Sequence, residues 1–304
     1  MTDQTAGEVV TKAQRTLWGD VLRQFLQHKG GVAGSIIFLF ILGAVLFGPF
    51  IHTIDPQFLD IRNKNLGPTW GHPMGTDNLG RDMLAQVLSG GRVSLAVGIA
   101  AMALSLLVGT LIGIIAGFFQ KLDGPLMRTT DLFLALPILP LLLVIIMLFR
   151  DSLRSVFGPE MGIFFLIVFV IGITSWMNTA RIVRGEVLAI KEREFVLAAR
   201  SVGTHSWKIV ARHIFPNVLS PVMVSATLGI ANAIITESSL SFLGLGFPSD
   251  FPTWGRLLFD GANFMTLNPA RVIWPGLAIS LTVLSVNYIG DGIRDALDPR
   301  IRGR

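Results

Sequence analysis

Six apolar stretches without a single Asp, Glu, Lys or Arg dominate this chain: Val32 to Ile51, Val93 to Phe119, Leu132 to Phe149, Met161 to Ala180, His213 to Thr236 and Val272 to Gly290. A helix rises about 1.5 Å per residue and a bilayer core is about 30 Å thick, so about 20 apolar residues suffice for one crossing. Each stretch is long enough or nearly so. Composition agrees, because 51% of the 304 residues are hydrophobic and only 15% are charged, against about 25% charged in ordinary soluble domains. So little charge cannot coat a globule of this length, and lipid is the solvent that remains for the surplus apolar surface. The expected fold is an all-α polytopic membrane protein with about six transmembrane helices. The third stretch is marginal in length and holds Pro137 and Pro140. A kinked or partly unwound span is expected there, its freed carbonyls satisfied by neighbouring helices.

Six crossings put both termini on one side. With the N-terminus inside, every Lys and Arg except Arg62, Lys64, Arg81, Arg92, Arg150, Arg154, Arg256 and Arg271 falls on the inner side, which is 17 of 25. The positive-inside bias then places both termini in the cytoplasm. The net charge of +5 reads as topogenic, since the basic residues sit at span ends without the aromatic interleaving that single-stranded nucleic acid requires. The first 30 residues are too polar for a signal peptide and no cleavage pattern follows the first span, which is read as uncleaved. Residues 1–31 form a cytoplasmic N-terminal segment and 32–304 the transmembrane domain. In the former, Leu17, Trp18, Val21, Leu22, Phe25 and Leu26 recur at helical spacing. This stripe either lies in the inner interface, with Arg15, Arg23 and Lys29 towards headgroups, or packs against a partner subunit.

Catalytic chemistry is missing from the sequence. None of the six lysines follows a glycine, so the Gly-Lys-Ser/Thr core of a P-loop cannot occur. There is no His-Glu-x-x-His helix, Gly-x-Ser-x-Gly elbow or embedded pair of aspartates, and no cysteine for a disulfide, thiolate site or nucleophile. His72, His205 and His213 lack metal-ligand spacing. The chain is expected to be a non-enzyme without its own cofactor or metal, driven by another chain or by an ion gradient.

The longest inner loop is the most informative. RIVRGEVLAIKEREFVLAARSVGTHSWKIVARHIFPN, from Arg181 to Asn217, reads as a helical run ending near Arg200, a turn at Gly203, a short amphipathic segment from Thr204, and Pro216 opening the fifth span. The expected result is a protruding helical elbow over 181–216 whose Ala198 and Ala199 allow close approach of a second protein.

The spacing Ala198-Ala199, three residues, Gly203, twelve residues, Pro216 resembles the EAA loop of the membrane subunits of binding-protein-dependent ABC importers. Leu197, His213 and Phe215 depart from its general consensus, standing for glutamate, isoleucine and leucine. HPMGTDNLGRDMLAQVLSGGRVSL from His72, MRTTDLFLALP from Met127, SFLGLGF from Ser241, PTWGRLL from Pro252 and DGIRDALDPR from Asp291 are similar to the second permease subunit of the dipeptide and oligopeptide branch. The resemblance runs from about the first span to the C-terminus. It implies a type I importer permease fold with a cytoplasmic coupling helix, alternating access by rigid-body rocking, and ATPase contact through Phe195, Ala198, Ala199, Arg200, Gly203, Trp207, Arg212 and Pro216. It also implies a second homologous permease, two ATPase subunits holding ATP and Mg, an extracytoplasmic peptide-binding protein and a bacterial cytoplasmic membrane. Nickel, glutathione or another small solute are alternative cargoes within that branch. An ion-gradient-driven secondary transporter is the rival from another class, and would need buried acidic residues at mid-membrane and recognisable halves.

Remaining polar residues are read individually. Glu237 follows a charge-free run near the outer end of the fifth span, where it either faces the translocation path and attracts a peptide ammonium or snorkels to water or bonds Ser238 or Ser239. Asp77, Arg81 and Asp82 either dock the binding protein or pair locally at the entry of the second span. Asp131 is assigned to a helical pair with Arg128 and to no transport role. Trp176, Trp254 and Trp274 mark interfaces or helix packing.

Overall fold

The computed structural model describes residues 17–248 and 251–297. The basic residues Lys12, Arg15, Arg300, Arg302 and Arg304, and the side chains of Leu17 and Trp18, lie outside the described parts. Among the described residues eleven α-helices carry the fold and there is no strand. They are α1 (Leu17–Gln27), α2 (Lys29–Ile51), α3 (Met83–Phe118), α4 (Gln120–Ala135), α5 (Ile138–Phe157), α6 (Pro159–Ile190), α7 (Glu194–Ser201), α8 (Ser206–Ile209), α9 (Phe215–Phe242), α10 (Trp254–Ala262) and α11 (Ala270–Leu297). Five helical stretches are long and apolar enough to cross a membrane, with a sixth if the α4–α5 pair counts as one.

That pair is the expected kink, in a stronger form. Leu136, ahead of Pro137, takes an extended backbone, and the helices on either side meet at 88°. The proline ring excludes the helical conformation from the residue before it. Pro140 falls in the first turn of α5, where its missing N–H costs nothing.

Several spans exceed their expected limits. α3 begins at Met83 rather than Val93, α6 runs on to Ile190 rather than Ala180, and the fifth span is continuous from Ser206 to Phe242. A charge ends an apolar run but need not end a helix. Arg92 lies inside α3, and its guanidinium donates to the carbonyls of Val45 at 2.9 Å and Leu46 at 2.7 Å on α2. Pro49 explains the vacancy there: lacking an N–H, it leaves the Val45 carbonyl without its helical donor. Pro216 is absorbed differently. Val210–Ile214 form a π-helical turn, the Phe215 N–H reaching back to the Val210 carbonyl, so α8 passes into α9 without a break. The expected separation of elbow and fifth span at Pro216 is therefore not found.

The molecule is organised around α3 and α6. Of the most apolar stretch of α6, 56% is buried within the chain, against 11% for α2. The seam is glycine-made: a Cβ added to Gly113 would lie 2.7 Å from both the Ala180 carbonyl oxygen and Val183 Cβ. The same addition at Gly109 would meet the Trp176 carbonyl at 2.7 Å, and at Gly117 it would meet Val187 Cβ at 2.7 Å. Gly109, Gly113 and Gly117 are spaced by four and lie on one helix face, which lets the two backbones touch. Above and below the seam, Val97, Ala101, Ile163, Ile167, Val170 and Ile171 form one buried cluster, and Ile114, Val183 and Val187 belong to another. Trp176 and Trp254 are core residues, the latter donating from Nε1 to the Val87 carbonyl at 2.9 Å. The N-terminal stripe divides: Phe25 packs at Gly31 and Gly292, whereas Leu22 and Leu26 stay exposed.

Two outcomes follow from this packing. Gly113→Leu should abolish accumulation of folded subunit, because over-packing costs about 1–3 kcal/mol even without a backbone clash. Gly185→Leu, on α6 where an added Cβ meets nothing within 4 Å, should accumulate normally, as read by detergent-resistant yield. Arg92→Leu should destabilise the subunit by about 1–3 kcal/mol. Adding Pro49→Ala should recover part of that loss by restoring a donor for Val45, so strictly additive melting shifts would refute the pairing.

Candidate functional site

The elbow exists and its shape follows from its sequence. α7 closes in a glycine-terminated cap: Gly203 has φ +78° and its N–H bonds the Arg200 carbonyl at 2.9 Å, while the Thr204 N–H bonds the Ala199 carbonyl at 3.0 Å. Both bonds satisfy carbonyls left free by the helix end, and the left-handed backbone at Gly203 turns the chain into α8. A Cβ there would meet nothing within 4 Å, so conformation rather than space demands glycine.

The elbow is anchored on one side and open on the other. Val196, Ile209, Val210, Ile214 and Val218 are buried against Ile114, Val183, Val187 and Ile190, which continues the α3–α6 core into the elbow. On the open side Phe195, Leu197, Val202 and Trp207 are exposed apolar side chains. Ala198, Arg212 and Pro216 are exposed with them, and Ala199 is half-buried. Trp207 leans on Phe119 with ring centres 5.4 Å apart, and Phe195 lies 6.0 Å from His213. Arg200 turns back towards the body, its guanidinium 5.4 Å from the centre of the Phe118 ring. A sub-helical lever rigidly continuous with the central seam, carrying apolar and basic groups outward, is suited to receive a push from a second protein.

Sequence reasoning missed what fixes the lever. Lys191, 8% exposed, donates from Nζ to the Gly117 carbonyl at 3.2 Å and so caps the C-terminal end of α3. Arg184 pairs with Asp123, Nη2 to Oδ2 at 2.7 Å, and Arg181 pairs with Asp131. The expected Asp131–Arg128 pair is thus replaced by one between α4 and α6. A basic residue read as topogenic gives no sign in the sequence of which carboxylate or carbonyl it will meet, since those partners lie 50 residues or more away.

At the opposite end, Asp77 and Asp82 are almost fully buried. Asp77 accepts from the backbone of Leu79 and Arg81 and from Arg81 Nε at 2.6 Å. Asp82 caps α3 through the Ala85 N–H at 2.7 Å and also bonds His52 at 2.8 Å and His72 at 2.7 Å. The cluster is thus bonded locally, around the start of α3. Glu237 does not snorkel to the surface. It is fully buried, accepting from Ser241 Oγ at 2.7 Å and Ser94 Oγ at 3.1 Å, with Ser238 Oγ at 3.5 Å. The Trp254 N–H reaches the same Ser94 hydroxyl at 3.2 Å, so the carboxyl gathers α3, α9 and α10. Hydroxyls from two separate segments, α3 and α9, converge on it only in the fold.

Comparison with known proteins agrees with this architecture. The family described as "Binding-protein-dependent transport system inner membrane component" matches residues 109–303, and the "N-terminal TM domain of oligopeptide transport permease C" matches residues 16–68. The chain is 36% identical over 296 residues to the oligopeptide transport system permease protein OppC of Bacillus subtilis, covering 97% of this chain and 93% of that one. It is 35% identical over 293 residues to the glutathione transport system permease protein GsiD of Pectobacterium atrosepticum, 96% and 94% of the two chains. It is also 35% identical over 286 residues to the dipeptide transport system permease protein DppC of Alkalihalophilus pseudofirmus, 94% and 90% covered. With its bundle of membrane-length helices and its elbow, the chain belongs to the inner-membrane components of binding-protein-dependent transport systems, as a multi-pass permease subunit.

Proposed function

We propose that this subunit passes dipeptides or oligopeptides, handed over by an extracytoplasmic binding protein, across the membrane by alternating access driven from separate ATPases. The observation that carries the reading is the elbow, an exposed apolar and basic surface on a rigid base continuous with α3 and α6. The oligopeptide and dipeptide permeases at 35–36% identity support the peptide cargo. Glutathione, the solute in the name of another relative, is itself a short peptide and stays within that class.

In this reading two ATPase subunits hold ATP and Mg, and this chain holds no cofactor. Their closure pushes on α7 and α8 through Phe195, Ala198, Ala199, Trp207 and Arg212. Because Val196, Ile209 and Ile214 are packed into the α3–α6 core, the push is transmitted as a rigid-body tilt against a second, homologous permease. Asp77, Arg81 and Asp82 shape the outer loop. In this reading both termini and the elbow lie in the cytoplasm, which the excess of Lys and Arg on the elbow side supports.

Gly203 tests the coupling. Its left-handed backbone costs a side chain about 1–2 kcal/mol, least for asparagine and most for a β-branched residue. In proteoliposomes holding both permeases, both ATPases and the binding protein, Gly203→Val should lose most peptide uptake while the complex still assembles, and Gly203→Asn should retain most of it. Equal uptake by the two variants would sink the elbow assignment. Orientation has its own test in this cysteine-free chain: an impermeant thiol reagent applied to whole cells should label Trp70→Cys, a fully exposed site, and should reach the exposed Val202→Cys only after permeabilisation.

A further inference from the structure

Two adjacent spans expose polar side chains at depths where lipid should lie. On α6, Ser175, Asn178 and Ile182 recur at i, i+3 and i+7, so they share one helix face, and all three are exposed. Ser175 and Asn178 fall within the charge-free stretch Met161 to Ala180. On α9, Ser225, Leu228, Asn232 and Thr236 likewise share a face, with Leu228, Asn232 and Thr236 exposed and Ser225 half-buried. The hydroxyls of Thr179 and Ser225 share a hydrogen bond at 2.9 Å, which sets the two antiparallel helices in register. Ser175 and Asn178 therefore lie beside the middle of the charge-free stretch of α9, and Asn232 lies about 10 Å further out than Ser225.

Towards the elbow the two faces meet in a groove of about 580 Å³ between α6, α9 and the end of α11, walled by Ile182, Glu186, Asn217, Ser220, Ser225 and Arg294 among others. Polar side chains thus run from the elbow end to beyond mid-membrane. Thr236 satisfies its hydroxyl on the Asn232 carbonyl and can face lipid at little cost. The carboxamides of Asn178 and Asn232 cannot, because each carries two donors and an acceptor oxygen and neither has a partner among the described residues. Other exposed faces are what lipid asks for: Phe165 and Phe169 on the outer half of α6, and Leu107 and Leu111 on α3, are apolar. Continuity with the groove decides between water and a dry helix contact. Glu186 and Arg294, in no ion pair among the described residues, keep its inner end hydrated.

We propose that this face of α6 and α9 lines the translocation path, and that Asn178 and Asn232 bond the backbone amides of a peptide in transit. The membrane-level groups of the face are neutral and include both donors and acceptors, which matches the repeating N–H and C=O of an extended peptide and offers no counter-charge to its side chains or termini. Glu237 takes no part, being buried towards Ser94 of α3. The proposal deepens the reading above and rests on it for the cargo, whereas the exposed carboxamides carry the path by themselves.

The test uses the complete complex, with its second permease and ATPases, in lipid nanodiscs. Because this chain has no cysteine of its own, labelling can be read on this subunit at single introduced thiols. Asn178→Cys and Asn232→Cys should react with a charged thiol reagent in the nucleotide-free or the ATP-bound state, since the reactive thiolate forms in water and not in hydrocarbon. Phe169→Cys, exposed on the other face of α6, should stay unreacted. If Asn178→Cys and Asn232→Cys are as inert as Phe169→Cys in both states, the path is overturned and the face belongs to lipid or to a dry helix contact. In proteoliposomes supplied with the binding protein, Asn232→Leu should lower peptide uptake about fivefold, which is about 1 kcal/mol for one lost hydrogen bond, and Asn232→Gln should retain most of the wild-type rate. The factor should be equal for acidic and basic peptides. A loss confined to one charge class, or no loss even with Asn178→Leu added, overturns the backbone contact. A wild-type complex that carries only a non-peptide solute, yet labels at both positions, sinks the cargo and leaves the path standing.

Discussion

The glycine-lined contact between α3 and α6 is the constraint on which the rest of the structure depends. Helices in lipid gain little from burying apolar side chains, since the tails outside are as apolar as leucine, so close backbone approach and many dispersion contacts must hold them. Gly109, Gly113 and Gly117 supply that approach over two turns of helix. Everything functional is hung from the two helices so joined. α6 continues beyond the seam to Ile190 and hands over to the elbow, whose base is packed into the same cluster of valines and isoleucines. The elbow is therefore packed as one piece with the two central helices.

Satisfaction of the backbone is the second theme. At three places where the chain gives up a helical hydrogen bond, a neighbouring group or a local change of helix compensates. Arg92 supplies the donor that Pro49 cannot, the π-turn at Val210–Ile214 makes room for Pro216, and Lys191 closes the end of α3. Unsatisfied carbonyls are far costlier in lipid than in water, so such repairs are obligatory rather than ornamental. They also explain why arginine and lysine appear at places where charge counting alone assigns them to a membrane side.

The opposite end is held by polar convergence instead of glycine. Asp82 draws together His52, His72 and the start of α3, and Glu237 draws together α3, α9 and α10 through hydroxyls. These acidic residues hold the loop and gather the helices. The elbow end, by contrast, keeps its apolar and basic groups exposed.

The number of spans, the proline break after Leu136, the glycine turn at Gly203 and the elbow itself were legible in the sequence, because each follows from local rules: hydrophobic length, ring sterics and backbone handedness. The family was legible too, since its motifs are short and contiguous. Helix ends were misplaced at Met83, Ile190 and Pro216 because a charge marks the end of an apolar run, while the end of a helix depends on whether its backbone finds partners. The partners of Glu237, Asp77, Asp82, Lys191 and Asp131 were decided only by tertiary structure. A side chain's partner is set by which distant segments the α3–α6 contact brings beside it, and no spacing along the chain encodes that proximity.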